Sequence, residues 1–180
     1  MKKIFFSLLA IAATISVSAQ TFTLKSNDVG GQATMKQVAN GFGCTGENQS
    51  PQLSWENAPA GTKSFAITMY DKDAPTGSGL WHWVVVDMPT DIKELRAGAG
   101  DVSKKLLPAG AIQLNNDGGQ PGYMGPCPPE GAAPHQYLVT VYALKTDKLG
   151  IDAKTSPAIA GFYLNSMMLG KASIVFYYSR

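Results

Sequence analysis

The chain has only two histidines, His82 and His135, and each stands at or near the start of a strand-like segment. An acidic pair, Asp71 and Asp73, lies in the stretch DKDAP at the end of another such segment. Residues two apart in an extended chain share a face. Asp71 and Asp73 can therefore aim together, as can His135 and Tyr137. Imidazoles, carboxylates and a phenol gathered at one mouth would suit acid–base chemistry, metal ligation or hydrogen bonding to an anion. A single histidine is more often a satisfied structural residue. Here both stand beside loops shaped by proline and glycine, which favours convergence.

The loop before His135 reads GPCPPEGAAPHQY over residues 125–137, with three prolines and two glycines in its first seven positions. Proline fixes φ and lacks an N–H, while glycine permits close approach. Such a stretch is a loop of defined shape. The segment GFGCTG at 41–46 matches the dinucleotide pattern G-x-G-x-x-G, but that mechanism needs a preceding strand and a following helix. ENQSP follows instead, so a tight turn is the better reading. No G-x-S-x-G elbow, H-E-x-x-H helix or clustered C-x-x-C is present to mark a hydrolase or a zinc site.

The elements that must position these groups are mostly strands. KSFAITMYD (63–71) alternates Phe65, Ile67 and Met69, while WHWVVVDM (81–88) reads as buried on both faces. HQYLVTVYAL (135–144) and KASIVFYYS (171–179) follow the same logic, and TFTLKS (21–26) suits an edge strand. Two helices are predicted, a short one over 91–98 and a stronger one over 156–170. The latter has Ser156 as N-cap, Pro157 in the first turn and Gly170 as its stop. The sum is a mainly β single domain, with two packed antiparallel sheets and a few short peripheral helices.

The first nineteen residues, MKKIFFSLLAIAATISVSA, place two lysines before an apolar run that ends in small residues. This is the layout of a cleaved secretory signal peptide, with cleavage after Ala19 and a mature domain over 20–180. A spanning anchor would need about 20 apolar residues, so no transmembrane anchor is expected after cleavage. The whole chain carries 15 basic and 13 acidic residues. Without Lys2 and Lys3 the two kinds balance, which removes any broad positive field for nucleic acid. Periplasmic or secreted localisation follows. An oxidising compartment permits Cys44 and Cys127 to pair, and two separate thiols are the alternative.

YDKDAPTGSGLWHWVVVDMP followed by GPCPPEG and HQY resembles the phosphatidylethanolamine-binding protein family, in its bacterial Raf-kinase-inhibitor-like branch. GENQSPQLSW and AGFYLNSMM match that branch too, so the likeness covers nearly all of the mature chain. The resemblance implies an antiparallel β-sandwich with a small anion pocket at one end. By matching position it implies ligand-binding roles for Asp71, Asp73, Pro75, His82, Gly125, His135 and Tyr137. It also implies a cis Ala74–Pro75 bond. Lys72 stands where the family commonly has proline and Leu80 where close relatives usually carry tryptophan, which bears on ligand selectivity.

From these residues a phosphate-like or phospho-headgroup anion is expected to be held by amides of the 125–127 loop, both imidazoles and the Tyr137 hydroxyl. No cofactor or metal is called for. A protein partner is the competing function, since the resembled family includes kinase and protease inhibitors, and a weak His/Asp hydrolase is a third.

Overall fold

The computed structural model describes residues 20–180, so the expected signal segment lies outside the described residues. Among the described residues, ten strands and one α-helix follow in order. They are β1 (Thr23–Lys25), β2 (Asn40–Gly41), β3 (Cys44–Thr45), β4 (Leu53–Glu56), β5 (Ser64–Asp71), β6 (Leu80–Met88) and β7 (Glu94–Leu95). Then come β8 (Ile112–Gln113), β9 (His135–Leu144), α1 (Pro157–Met167) and β10 (Met168–Tyr178). A five-stranded antiparallel sheet has the order β10-β9-β5-β6-β8, and a three-stranded one the order β1-β4-β7.

The two sheets enclose the main core. Phe65, Ile67 and Met69 of β5, Trp83 and Val85 of β6, and Tyr137, Val139 and Val141 of β9 meet Leu24, Leu53, Trp55 and Leu95 of the small sheet. On the opposite face of the large sheet, Ala66, Val84, Val86, Tyr142 and Leu144 pack under α1 through Ala160 and Leu164. Covering on both faces explains why β5, β6 and β9 read as near-continuous apolar runs rather than strict alternation. The layering agrees with the expected two-sheet sandwich, here with one α-helix and a single 3₁₀ turn, at Val102–Lys104, among the described residues.

Ser156 caps α1 by accepting from the Ile159 N–H, and Pro157 opens the helix, as expected. Gly170 is not its stop. The helix ends at Met167, and Met168 already pairs with Leu144 in β10, because the chain must return along β9 to complete the sheet. The short helix over 91–98 is not formed either. Leu95 instead pairs with Leu53 and Glu94 with Ser54, since about two turns of isolated helix cannot repay its nucleation cost. GFGCTG forms the β2–β3 hairpin, with Phe42 at φ 53° and Gly43 at φ 84° at its tip.

Candidate functional site

Register brings the chemistry-bearing residues to one end of the large sheet. Asp71 closes β5 directly opposite Tyr137 of β9, and His135 lies two residues back on the same face. His82 reaches that face by a different device. Met69 pairs with Trp83 and Tyr70 with Trp81, which leaves His82 as the extra residue of a β-bulge. Bulges re-aim side chains. Strict alternation would turn His82 away from Trp83's side of the sheet; the bulge turns it towards the core side, edge-on to Tyr137 with ring centroids 5.2 Å apart. His135 stacks on the same tyrosine at 6.4 Å, and Phe176 stacks on it at 5.3 Å.

Each buried polar group has a definite partner or none. His135 Nδ1 lies 2.7 Å from Asp71 Oδ2, and Asp71 Oδ1 accepts from the Asp73 N–H at 2.8 Å. Because a carboxylate only accepts, the proton of this pair sits on His135 Nδ1. His82 Nδ1 donates to the Met124 carbonyl at 2.8 Å, while the Met124 N–H donates back to the His82 carbonyl. In the neutral ring, Nε2 is then a lone-pair acceptor. Neither His82 Nε2 nor the Tyr137 hydroxyl has a hydrogen-bond partner among the described residues, though both atoms are buried.

Burial sets the protonation states. Desolvation holds His82 below its ordinary value, outweighing the carbonyl of Met124 and the charges of Asp71 and Asp117 that favour protonation. Desolvation, reinforced by the Asp71 charge, likewise raises the Tyr137 phenol and keeps it protonated. A histidine whose folded value lies below its unfolded value of about 6.5 binds more protons when unfolded. Its contribution to stability is complete above that pH and is lost as pH falls through the folded value. Thermal melts should therefore be flat from about pH 8 to 6.5 and decline below it. His82→Asn, which retains a donor for Met124 O, should flatten that decline.

A cavity of about 290 Å³ opens beside His82, walled by Phe42, Leu80, Asp117, Gly118, Met124, Gly125 and Cys127. Asp71, His135 and Tyr137 are buried and do not line it, and of the three Tyr137 packs against the wall residue His82. Asp73 and Pro75 are outside it. Asp73 binds Lys72 at 2.6 Å and takes the Gln136 N–H at 2.8 Å, pinning the start of β9. Lys72 is the first cause of the lowered Asp73 value, with the Gln136 amide next. Asp71 and Asp73 thus do not aim together, because the chain leaves the strand after Asp71. The Ala74–Pro75 bond is trans, as is every peptide bond among the described residues. The Thr76 N–H closes on the Ala74 carbonyl at 2.8 Å across that bond, so the turn forms without the rarer isomer.

Cys127 is bonded to Cys44, with Cα atoms 6.0 Å apart, so the β2–β3 hairpin is tied to the pocket loop. Phe42, 75% exposed at the hairpin tip, is thereby held on the cavity wall. Gly125 is needed for close approach: a Cβ there would collide with the backbone of Gln37 and Ala39. Its N–H, expected to face an anion, donates to Asn48 Oδ1 at 2.8 Å, and Pro126 has none to offer. Sequence reasoning missed Asp117. The signal was the turn-rich NNDGG stretch, where Asn116 Oδ1 accepts from Gly118 N and its Nδ2 donates to Gly122 O. That turn presents Asp117, whose Oδ2 accepts the Trp81 N–H at 2.7 Å.

Comparison with known proteins gives a consistent result. Residues 25–179 match the family described as "PBP: Phosphatidylethanolamine-binding protein". The UPF0098 protein YbcL of Escherichia coli is 46% identical over 97% of this chain and 96% of its own length. YbhB of the same organism is 44% identical over 87% of this chain and 99% of its own length. The crystal structure of E. coli YbcL superposes with a TM-score of 0.86, covering 88% of this chain and 98% of that one.

Proposed function

The chain belongs to the phosphatidylethanolamine-binding protein family, and from that premise we propose an exported, non-catalytic binding protein whose cavity holds a small phosphate-like or phospho-headgroup ligand. One observation carries the reading. His82, 3% exposed and fixed in a single orientation by Met124, lies on the cavity wall with Nε2 unpartnered among the described residues. A buried polar atom left unmade costs about 1–3 kcal/mol, which a polar guest restores. Tyr137, whose hydroxyl is also unpartnered, packs directly against it.

Binding rather than turnover is favoured by the wall itself. Its residues include no hydroxyl, and its one cysteine is in a disulfide, so the wall offers no serine, threonine or thiol nucleophile. Export is supported by the lysine-led apolar N-terminus and by the disulfide, which persists in oxidising compartments.

Isothermal titration with inorganic phosphate tests the reading. The wild-type protein should bind, and His82→Ala should weaken binding by roughly 10- to 100-fold, the worth of a hydrogen bond to a charged group. Circular dichroism should show that the variant remains folded. Equal affinity of the two proteins, or no binding by either, would count against the proposal.

A further inference from the structure

The outer face of α1 is as apolar as its inner one. The buried stripe is Pro157, Ala160, Gly161 and Leu164, set on the large sheet. The opposite stripe is Ile159, Phe162 and Tyr163, at positions i, i+3 and i+4, exposed by 52%, 66% and 37%. No acidic or basic residue occurs from Pro157 to Gly170. Asn165 and Ser166 turn their polar groups back into the helix. Asn165 Nδ2 donates to the Gly161 carbonyl at 2.8 Å, and Ser166 Oγ to the Phe162 carbonyl at 2.9 Å. A helix apolar on both faces is normally covered on both. Here the sheet covers one.

Charge of a single sign gathers round this stripe. Lys154 stands two residues before the Ser156 cap, and Lys148 lies in the same β9–α1 connection. The Lys145 N–H donates to the Met167 carbonyl at the helix end, and the Lys63 N–H to Leu144 of the neighbouring strand. Lys171 is opposite Tyr142 in register, on the sheet face that α1 covers. All five lysines are exposed, and none forms a salt bridge among the described residues. Two exposed carboxylates share the region, Asp147 and Asp152, and Asp152 Oδ1 accepts the Lys154 and Thr155 amides of its own turn. The mature chain balances its charges overall, so this end is locally basic.

We propose that α1 is an interfacial helix that seats the domain on an anionic lipid surface. Ile159, Phe162 and Tyr163 enter the boundary between headgroups and acyl chains, and the lysines around them meet the headgroups. Eleven residues rise about 16 Å, half of the hydrocarbon thickness of about 30 Å, so the helix lies in the surface rather than across it. Area decides against a second copy of the chain. The three side chains offer roughly 300 Å² of exposed surface, whereas each partner in a stable interface gives about 800 Å². Lipid needs no such matched area, and the lysine rim fits its charge.

This inference makes no use of the cavity, so its test is separate from that of phosphate binding. The full mature chain, with its disulfide intact, is floated with vesicles of mixed phosphatidylglycerol and phosphatidylcholine, and with vesicles of phosphatidylcholine alone. At low salt it should float with the first and much less with the second. About 0.5 M salt should release most of it, because screening then acts within a few ångströms. Phe162→Ser should weaken partitioning roughly tenfold, the worth of one large apolar side chain, and Ile159→Ser/Phe162→Ser should weaken it further. Both positions are exposed, so these variants should keep the wild-type melting temperature and phosphate titration. His82→Ala should float as wild type does. No flotation with phosphatidylglycerol, or equal flotation with both kinds of vesicle, overturns the inference. So does unchanged flotation of the Ile159→Ser/Phe162→Ser variant, or loss of flotation in His82→Ala, which would route lipid through the cavity. A concentration-dependent dimer that this double variant disperses, without vesicle binding, would assign the stripe to a second copy and overturn it as well.

Discussion

Replacing Asp71 by alanine is expected to lower the stability of the folded chain by about 3 kcal/mol, because the His135 ring and the Asp73 amide both lose their acceptor at about 1–3 kcal/mol each. Asp71 is 2% exposed and does two jobs with its two oxygens. One holds the His135 imidazole at 2.7 Å, and the other holds the first amide of the departing turn, at Asp73, at 2.8 Å. Alanine leaves the buried His135 ring and the part-buried Asp73 N–H without their acceptor. Asp71→Asn, which preserves shape and one acceptor, should cost markedly less. Urea unfolding of the two variants checks this. A loss below about 1 kcal/mol for Asp71→Ala would show that His135 finds another partner.

The disulfide is the second large term. Cys44 and Cys127 are 83 residues apart, and closing a loop of that size stabilises by about 4 kcal/mol in the chain-entropy model. For a domain of this size each kcal/mol moves the midpoint by about 2–4 °C. The Cys44→Ser/Cys127→Ser double variant should therefore melt roughly 10 °C lower than wild type. The loss should also reach the cavity, because the bond joins the Phe42 hairpin to the loop that carries Gly125. Other ties remain at this corner: Ala39 N donates to Pro126 O, and Arg180 Nη1 donates to Gly43 O at 2.9 Å. The double variant should consequently fold, with weaker phosphate binding rather than none. Differential scanning calorimetry measures the first effect and titration the second.

The long strands were legible because burial left a direct mark on them. β9 spans His135–Leu144, the bounds predicted from its alternation, and β5 and β6 differ from prediction by a single residue each. The short pieces were not. β4 lies inside a stretch rich in turn residues, and its four residues become a strand only because Leu53 and Trp55 have a core to enter. The residues of β7 read as helix in the sequence, since their pairing partner is distant and leaves no local trace. The same distinction applies to the site. That His82, His135 and Tyr137 lie at one end follows from strand ends and the proline-rich loop, and resemblance supplied the pocket. The bulge that turns His82 inward, the outward direction of Asp73, and the trans bond before Pro75 are properties of pairing and turn closure. None is written in residue type. Asp117 was missed for a related reason: a carboxylate in a turn reads as solvated surface until the fold places it beside a histidine.

Chemical-shift mapping by ¹⁵N–¹H NMR as inorganic phosphate is added is the most direct test of the central claim. Saturable shifts should concentrate at the amides of Leu80, His82, Asp117, Gly118, Met124 and Gly125, with the far end of the sandwich unmoved. Shifts centred elsewhere, or a spectrum unchanged by phosphate, would contradict it.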